Sequence, residues 1–591
     1  MTSPRSLLLA VCVLLAACAQ QPVKPTASEA PSSKSAAQPQ TKVSAKPAGR
    51  QPQLPAHELT EQLMLKLLLA EVAVQRGQSH IAVPAYLDLA RETRDPRVAQ
   101  RATEVAWNAR FVDSAIEAAG IWLQADPQSQ QARQVLAALL VNQAQLANAL
   151  PHLEKWLRSD EANVGQSFLQ ITSLLARHKD RKAVLALMQG LARSYGEVPE
   201  ARFAVAQAAW NAENRELALS EVREALRLRP DWELAALFQA QILQRQNASE
   251  ALAYLASYLE QHPKAKDARL SYARMLVTEK KFTEARKQFE ALLAEHPQNA
   301  EVTMAVALLA LQVNDYDAAE AQLKRALENN YKDPDAVRLY LGQVNEERKR
   351  FDEALKWYGS VAGGEQYIAA QARYAGVLSK QGRLADARKH LHQVTPRSNQ
   401  QRIQLTQAEA QILREASAYQ EAFDVLSRAL EKMPDYPDLL YDHAMAAEKV
   451  NRLDVLEQNL RKLITMRPDH AHAHNALGYT FADRNERLDE ARQLIETALR
   501  LAPEDPFIMD SMGWVLYRQG HIPEALGYLK RAHALRPDPE IAAHLGEVLW
   551  MSGQRDEARA LLSEVLKTHP KNEILQNTIN RFLRTNHPAA R

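Results

Sequence analysis

The 591 residues carry 73 Lys plus Arg against 71 Asp plus Glu, with 18 Gly and 6% aromatics. That near-balance gives no basic excess for nucleic acid and no acidic run for cation buffering, and the Gly-poor, helix-forming composition argues against a strand-rich body. Both cysteines, Cys12 and Cys18, lie in the first eighteen residues, so the body can hold neither a disulfide framework nor a Cys-based zinc site.

The chain opens with Arg5, an apolar run from Leu7 to Leu15, and Ala16-Ala17-Cys18. A charged start, a short apolar core and small residues before a cut describe a secretory signal, too short to span a bilayer stably. Leu15-Ala16-Ala17-Cys18 resembles a lipobox, which implies a signal peptide over 1–17 and acylation of Cys18. Several acyl chains, at ~0.8 kcal/mol per buried CH₂, anchor firmly where one does not. By the same resemblance to Gram-negative sorting, Ala19 in place of Asp implies the periplasmic face of the outer membrane. Residues 18–56 are rich in Ala, Pro, Ser, Gln and Lys, with Leu54 the first leucine after the anchor. Such a stretch buries too little apolar surface to offset chain entropy and is expected to be a disordered tether, with a reach of roughly 30–35 Å.

From 57 to 584 the chain repeats. A small residue recurs at Ala82, Ala115, Ala149, Ala183, Ala218, Ala251, Ala285, Ala319, Ala354, Ala387 and Ala422, continuing at Leu456, Ala491, Ala525 and Ala558, at a mean spacing of 34. Twelve residues after these markers stand Pro127, Pro230, Pro263, Pro297, Pro434, Pro468, Pro503, Pro537 and Pro570, each placed to stop a helix. Twelve residues before them the residue is usually small, as at Ala70, Ala137, Ala206, Gly342, Gly513 and Gly546, letting one helix approach its partner. The period predicts about fifteen helix-turn-helix pairs. Leu456 replaces the marker alanine, "ADRNERLDEA" carries an extra residue, and the segments near 195, 366 and 399 lack the closing proline, so irregular pairs and a kink are expected there. Ile574, Leu575, Thr578, Ile579, Phe582 and Leu583 are spaced to form a capping helix, with 585–591 a short tail.

The pattern resembles the tetratricopeptide-repeat (TPR) family across residues 60–570, most closely in "SMGWVLYRQGHIPEALGYLKRAHALRP" and "LGEVLWMSGQRDEARALLSEVLKTHP". The resemblance implies an all-α, right-handed solenoid whose binding groove is lined by the first helix of each pair. Carried over by register, the groove positions hold Trp107, Trp210 and Trp550, each eight residues before a marker, then Phe168, Phe203 and Tyr441, and the neighbours Trp514 and Tyr517. Tryptophan often anchors interfaces; the alternative is that these side chains fill gaps between successive first helices. His470, His472 and His474 alternate just after Pro468, where exposed positions at a helix start are expected rather than a metal site. H-E-x-x-H, G-x-S-x-G and Walker-type motifs do not occur in the sequence, so neither enzymatic activity, cofactor, metal nor small-molecule substrate is expected.

Length, lipobox, tether and the "DSMGWVLYRQG…DPEIAAHLGEVLW" block together resemble the LbcA-type TPR lipoproteins that partner periplasmic carboxyl-terminal processing proteases. That resemblance implies an outer-membrane scaffold that recruits and activates such a serine protease and presents peptidoglycan cross-link hydrolases to it. The alternative is a structural lipoprotein of a pilus, secretion or polysaccharide-export assembly.

Overall fold

In the computed structural model the described residues are 54–55, 58–159 and 161–584. The expected signal peptide, Cys18, nearly all of the tether and the 585–591 tail therefore lie outside them. The described residues contain thirty-one α-helices and no strand. They run as fifteen antiparallel pairs, from Glu61–Gln75 with Ser79–Thr93 to Pro539–Met551 with Arg555–Thr568, followed by a last helix, Glu573–Ile579. The all-α repeat stack read from the spacing is the observed architecture. The chain divides after Gln322 into two compact units.

Packing follows the marker series. Every marker is buried except Ala183, which is half-buried. Small residues in the first helices meet the second helices at close range. A Cβ on Gly513 would lie 2.6 Å from Leu529 Cγ, and one on Gly546 2.6 Å from Leu562 Cδ2. Helices end where the prolines require: Val112–Ala125 before Pro127, Leu488–Leu501 before Pro503, and Ile522–Leu535 before Pro537. Starts are capped by side chains, as where Asp505 accepts from the Phe507 amide at 2.9 Å ahead of Pro506.

Between the helices of most pairs stands one residue in the left-handed region, five positions before the marker. At Gly520 (φ 85°) the turn closes with Gly520 N–H to Tyr517 O and His521 N–H to Leu516 O, both 2.9 Å. Elsewhere the same position is held by Arg110, Glu213, Lys280 and Lys349, which are strained to make the same turn. The extra residue of "ADRNERLDEA" is absorbed by a second left-handed residue, Arg487 (φ 44°), after Asn485. Arg487 is held by Glu457, with nitrogens 2.7 and 2.9 Å from its carboxylate oxygens, and lies 3.7 Å over the Phe481 ring. Hydrogen bonds from Arg487 hold the Glu457 carboxyl down to about 2.

Irregularity falls near the places lacking a closing proline. In the first unit, a 3-10 turn Glu161–Asn163 precedes Val164–Leu175, and this helix packs on Pro199–Asn211 of the following pair rather than closely on its own partner Arg181–Ala192. In the second, Phe351–Gly359 and Leu384–Gln393 are short, and Asn399–Glu415 is correspondingly long. The last helix buries Leu575, Thr578 and Ile579, while Ile574, at the edge of that face in its first turn, is 39% exposed; the Leu583 side chain lies outside the described residues.

Candidate protein-binding surface

The residues singled out by register fall into three environments. Trp107 stands exposed on its helix. Phe168 is fully buried, edge-on to Tyr195 at 5.4 Å, and offers no face to a partner. Phe203 is also buried, 4.8 Å from the Trp232 ring and 5.5 Å from Phe238; it forms the floor of a site rather than its surface. Trp210 is half-buried and meets the edge of Phe238 at 6.3 Å. Tyr441 is half-buried beside His470 at 5.5 Å, and burial raises its hydroxyl pKa.

The second group, Trp514, Tyr517 and Trp550, is brought together but closed. Trp514 stacks on His544 at 4.3 Å and 24°, and His544 Nδ1 lies 2.8 Å from Asp510 Oδ2. Tyr517 donates to Glu547 at 3.2 Å. Trp550 is covered by Phe582, at 6.1 Å between rings, and Arg581 pairs with Glu547. Trp514 and Trp550 are 5% and 8% exposed. The expectation that this cluster presents an open binding face is therefore corrected: the gap-filling alternative describes it, because the capping segment 573–584 covers Trp550 and the next first helix covers Trp514. Burial disfavours a charged His544, but the adjoining Asp510 carboxylate outweighs it and raises the imidazole pKa.

An open site does form in the first unit. A groove of about 840 Å³ runs across the first helices Val164–Leu175, Pro199–Asn211 and Glu233–Gln244. Its apolar part is Phe203, Trp210, Phe238, Leu169 and Leu234, the last 52% exposed. Its polar part is made of neutral groups: Gln166, Gln170, Gln207 and Asn211 amides with the Thr172 and Ser173 hydroxyls. No Asp, Glu, Lys or Arg is among the described residues lining it. Amides both donate and accept, so the wall can satisfy an approaching backbone while the aromatic floor receives an apolar side chain. Sequence register found Trp210 and Phe203 but missed Phe238 and Leu234, which Glu233–Gln244 adds to the same groove.

Other polar clusters are internal struts. Glu346 accepts from Tyr358 Oη at 2.6 Å and Lys380 Nζ at 2.8 Å; burial opposes its charge, yet these partners lower its pKa overall. His443 sits between Ser427 Oγ and Asn459 Nδ2, both at 2.8 Å, and burial pushes it down to about 4. His470 caps its helix by accepting from the Ala473 amide, and His474, expected to be exposed, is buried with Nε2 3.1 Å from the Pro468 carbonyl oxygen. The i+4 histidine falls on the packed side of the helix once the cap fixes its start. No three-residue metal-ligand cluster and no helix long and apolar enough to cross a membrane occurs among the described residues.

The tetratricopeptide-repeat profiles match residues 243–309, 276–340, 441–506 and 516–580. A TPR repeat-containing protein of Pseudomonas aeruginosa, PA4667, is 32% identical over 489 residues, covering 83% of this chain and 82% of that protein. The chain belongs to the tetratricopeptide-repeat family. Solved structures are also similar: a thermophilic TPR protein from Thermus thermophilus at 25% identity, covering 32% of this chain and all of that one, with a TM-score of 0.29. The Naa15/Naa10 complex bound to HypK-THB matches at 13% identity over 89% of this chain and 94% of that one, with a TM-score of 0.30. TPR repeats make protein–protein interaction scaffolds, and no catalytic domain is evident among the described residues of this one.

Proposed function

We propose that this TPR protein is a periplasmic adaptor, held to the outer membrane through Cys18, that recruits and activates a carboxyl-terminal processing protease and brings peptidoglycan cross-link hydrolases to it. The open groove at Trp210 and Phe238 carries the binding part of the reading: it is a formed, water-facing site with an aromatic floor and an uncharged polar wall, on the face of the first helices. The lipobox and the 18–56 tether support the anchoring part. Two partners held on one scaffold meet at an effective concentration in the millimolar range for short flexible links, so the adaptor needs no catalytic residue of its own. The test is a pull-down of the chain from its own periplasmic extract, read by mass spectrometry. Recovery of the protease with wall hydrolases is the expected outcome; recovery of pilus, secretion or export subunits would overturn it.

A further inference from the structure

The first helix of the array, Glu61–Gln75, has two apolar sides, and only one is packed. Ala70 and Ala73 face the body and are buried, with Leu63 and Val74 beside them. Its flanking charges are engaged there: Lys66 pairs with Glu92 at 2.6 Å, and Arg101 reaches Glu71 at 3.1 Å. On the other side Leu65, Leu68, Leu69 and Val72 are exposed by 69, 58, 54 and 42%. Their i, i+3, i+4, i+7 spacing makes one continuous stripe. The same register positions in the last pair hold Ile541, His544, Leu545 and Val548, all buried. A stripe of this kind on a terminal repeat is normally polar, so its apolar character points to a cover.

We propose that the Leu65/Leu68/Leu69/Val72 stripe is a docking surface for the same stripe of a second copy of this chain, the two helices packing antiparallel about a two-fold axis. Charge selects this occupant. Exposed Glu61 and Arg76 lie at opposite ends of the stripe and on the same side of the helix. An antiparallel copy brings each Glu61 to the partner's Arg76, two pairs in all, whereas a parallel one opposes like charges. A lipid surface fits less well, because interfacial helices carry Lys and Arg along the polar face, and here Glu58, Glu61 and Gln62 flank the stripe with Arg76. Self-complementary surfaces of this kind give closed dimers.

The experiment is sedimentation velocity on the full chain carrying Cys18→Ser, so that no acyl anchor contributes to association. A concentration-dependent shift from monomer to dimer is expected, lost with Leu65→Glu plus Leu69→Glu while helicity and melting stay unchanged. Glu61→Arg alone should shift the dimer toward monomer, and Glu61→Arg with Arg76→Glu should restore it, a rescue that is informative even if the leucine variant folds poorly. A monomer at every concentration, a dimer indifferent to both sets of changes, or stripe-dependent binding to phosphatidylethanolamine/phosphatidylglycerol vesicles in place of dimerisation would each overturn the proposal.

Discussion

Trp210 and Trp550 occupy the same register position, eight residues before their markers, and end in opposite situations. Trp550 is shut in by Phe582 and Arg555 from the segments C-terminal to it. Trp210 is half-buried, meets the edge of Phe238 and opens onto an uncharged groove. Register thus fixes which side of a helix a residue takes, and the bulk of the neighbouring segment decides whether that side is a surface or an interior. In the last pair a capping segment supplies the bulk; around Trp210 the neighbouring first helices Val164–Leu175 and Glu233–Gln244 form the walls of a groove instead of a cover.

That contrast can be broken most forcefully at the closed site. Trp514→Ala with Trp550→Ala should cost about 3–5 kcal/mol per site, seen as lost cooperativity of the C-terminal pairs in denaturant melts and faster amide exchange over Pro506–Thr568. Unchanged melting with lost partner binding would instead make those rings a surface. At the open site, Trp210→Ala should weaken partner capture by about 2 kcal/mol, roughly thirtyfold, as expected of an anchor residue, with little change in helicity. Gly546→Ala, which sets a methyl against Leu562, should destabilise the last pair by about 1–3 kcal/mol and leave capture at Trp210 intact, sharpening the separation of the two regions. The smallest effect concerns pH. Because the folded pKa of His544 is raised by Asp510, its contribution is fully present below the unfolded value near 6.5 and is lost as pH rises through the folded pKa. The C-terminal pairs should therefore lose stability on going from pH 6 to pH 8, and His544→Gln should flatten that slope in thermal melts.

Much of the fold was legible because proline stops and small residues act locally, through a missing N–H and a missing side chain. Pro503 and Gly513 announce themselves. The left-handed turn residues do not: Arg110, Glu213 and Lys349 are forced into that conformation by the helices on either side, and nothing in their side chains signals it. The candidate site was legible only in part for a similar reason. Trp210 could be placed by register, but the openness of its surroundings depends on how Val164–Leu175 packs, and the closure over Trp550 depends on Phe582 arriving from a segment thirty-two residues later. Those are tertiary outcomes with no local pattern.

The most direct measurement is hydrogen–deuterium exchange of the chain with and without the protein partner recovered by pull-down. Protection is expected over Val164–Leu175, Pro199–Asn211 and Glu233–Gln244, and should vanish with Trp210→Ala. Protection appearing instead over Pro506–Met551, with the groove helices unchanged, would contradict the assignment of binding to the open site.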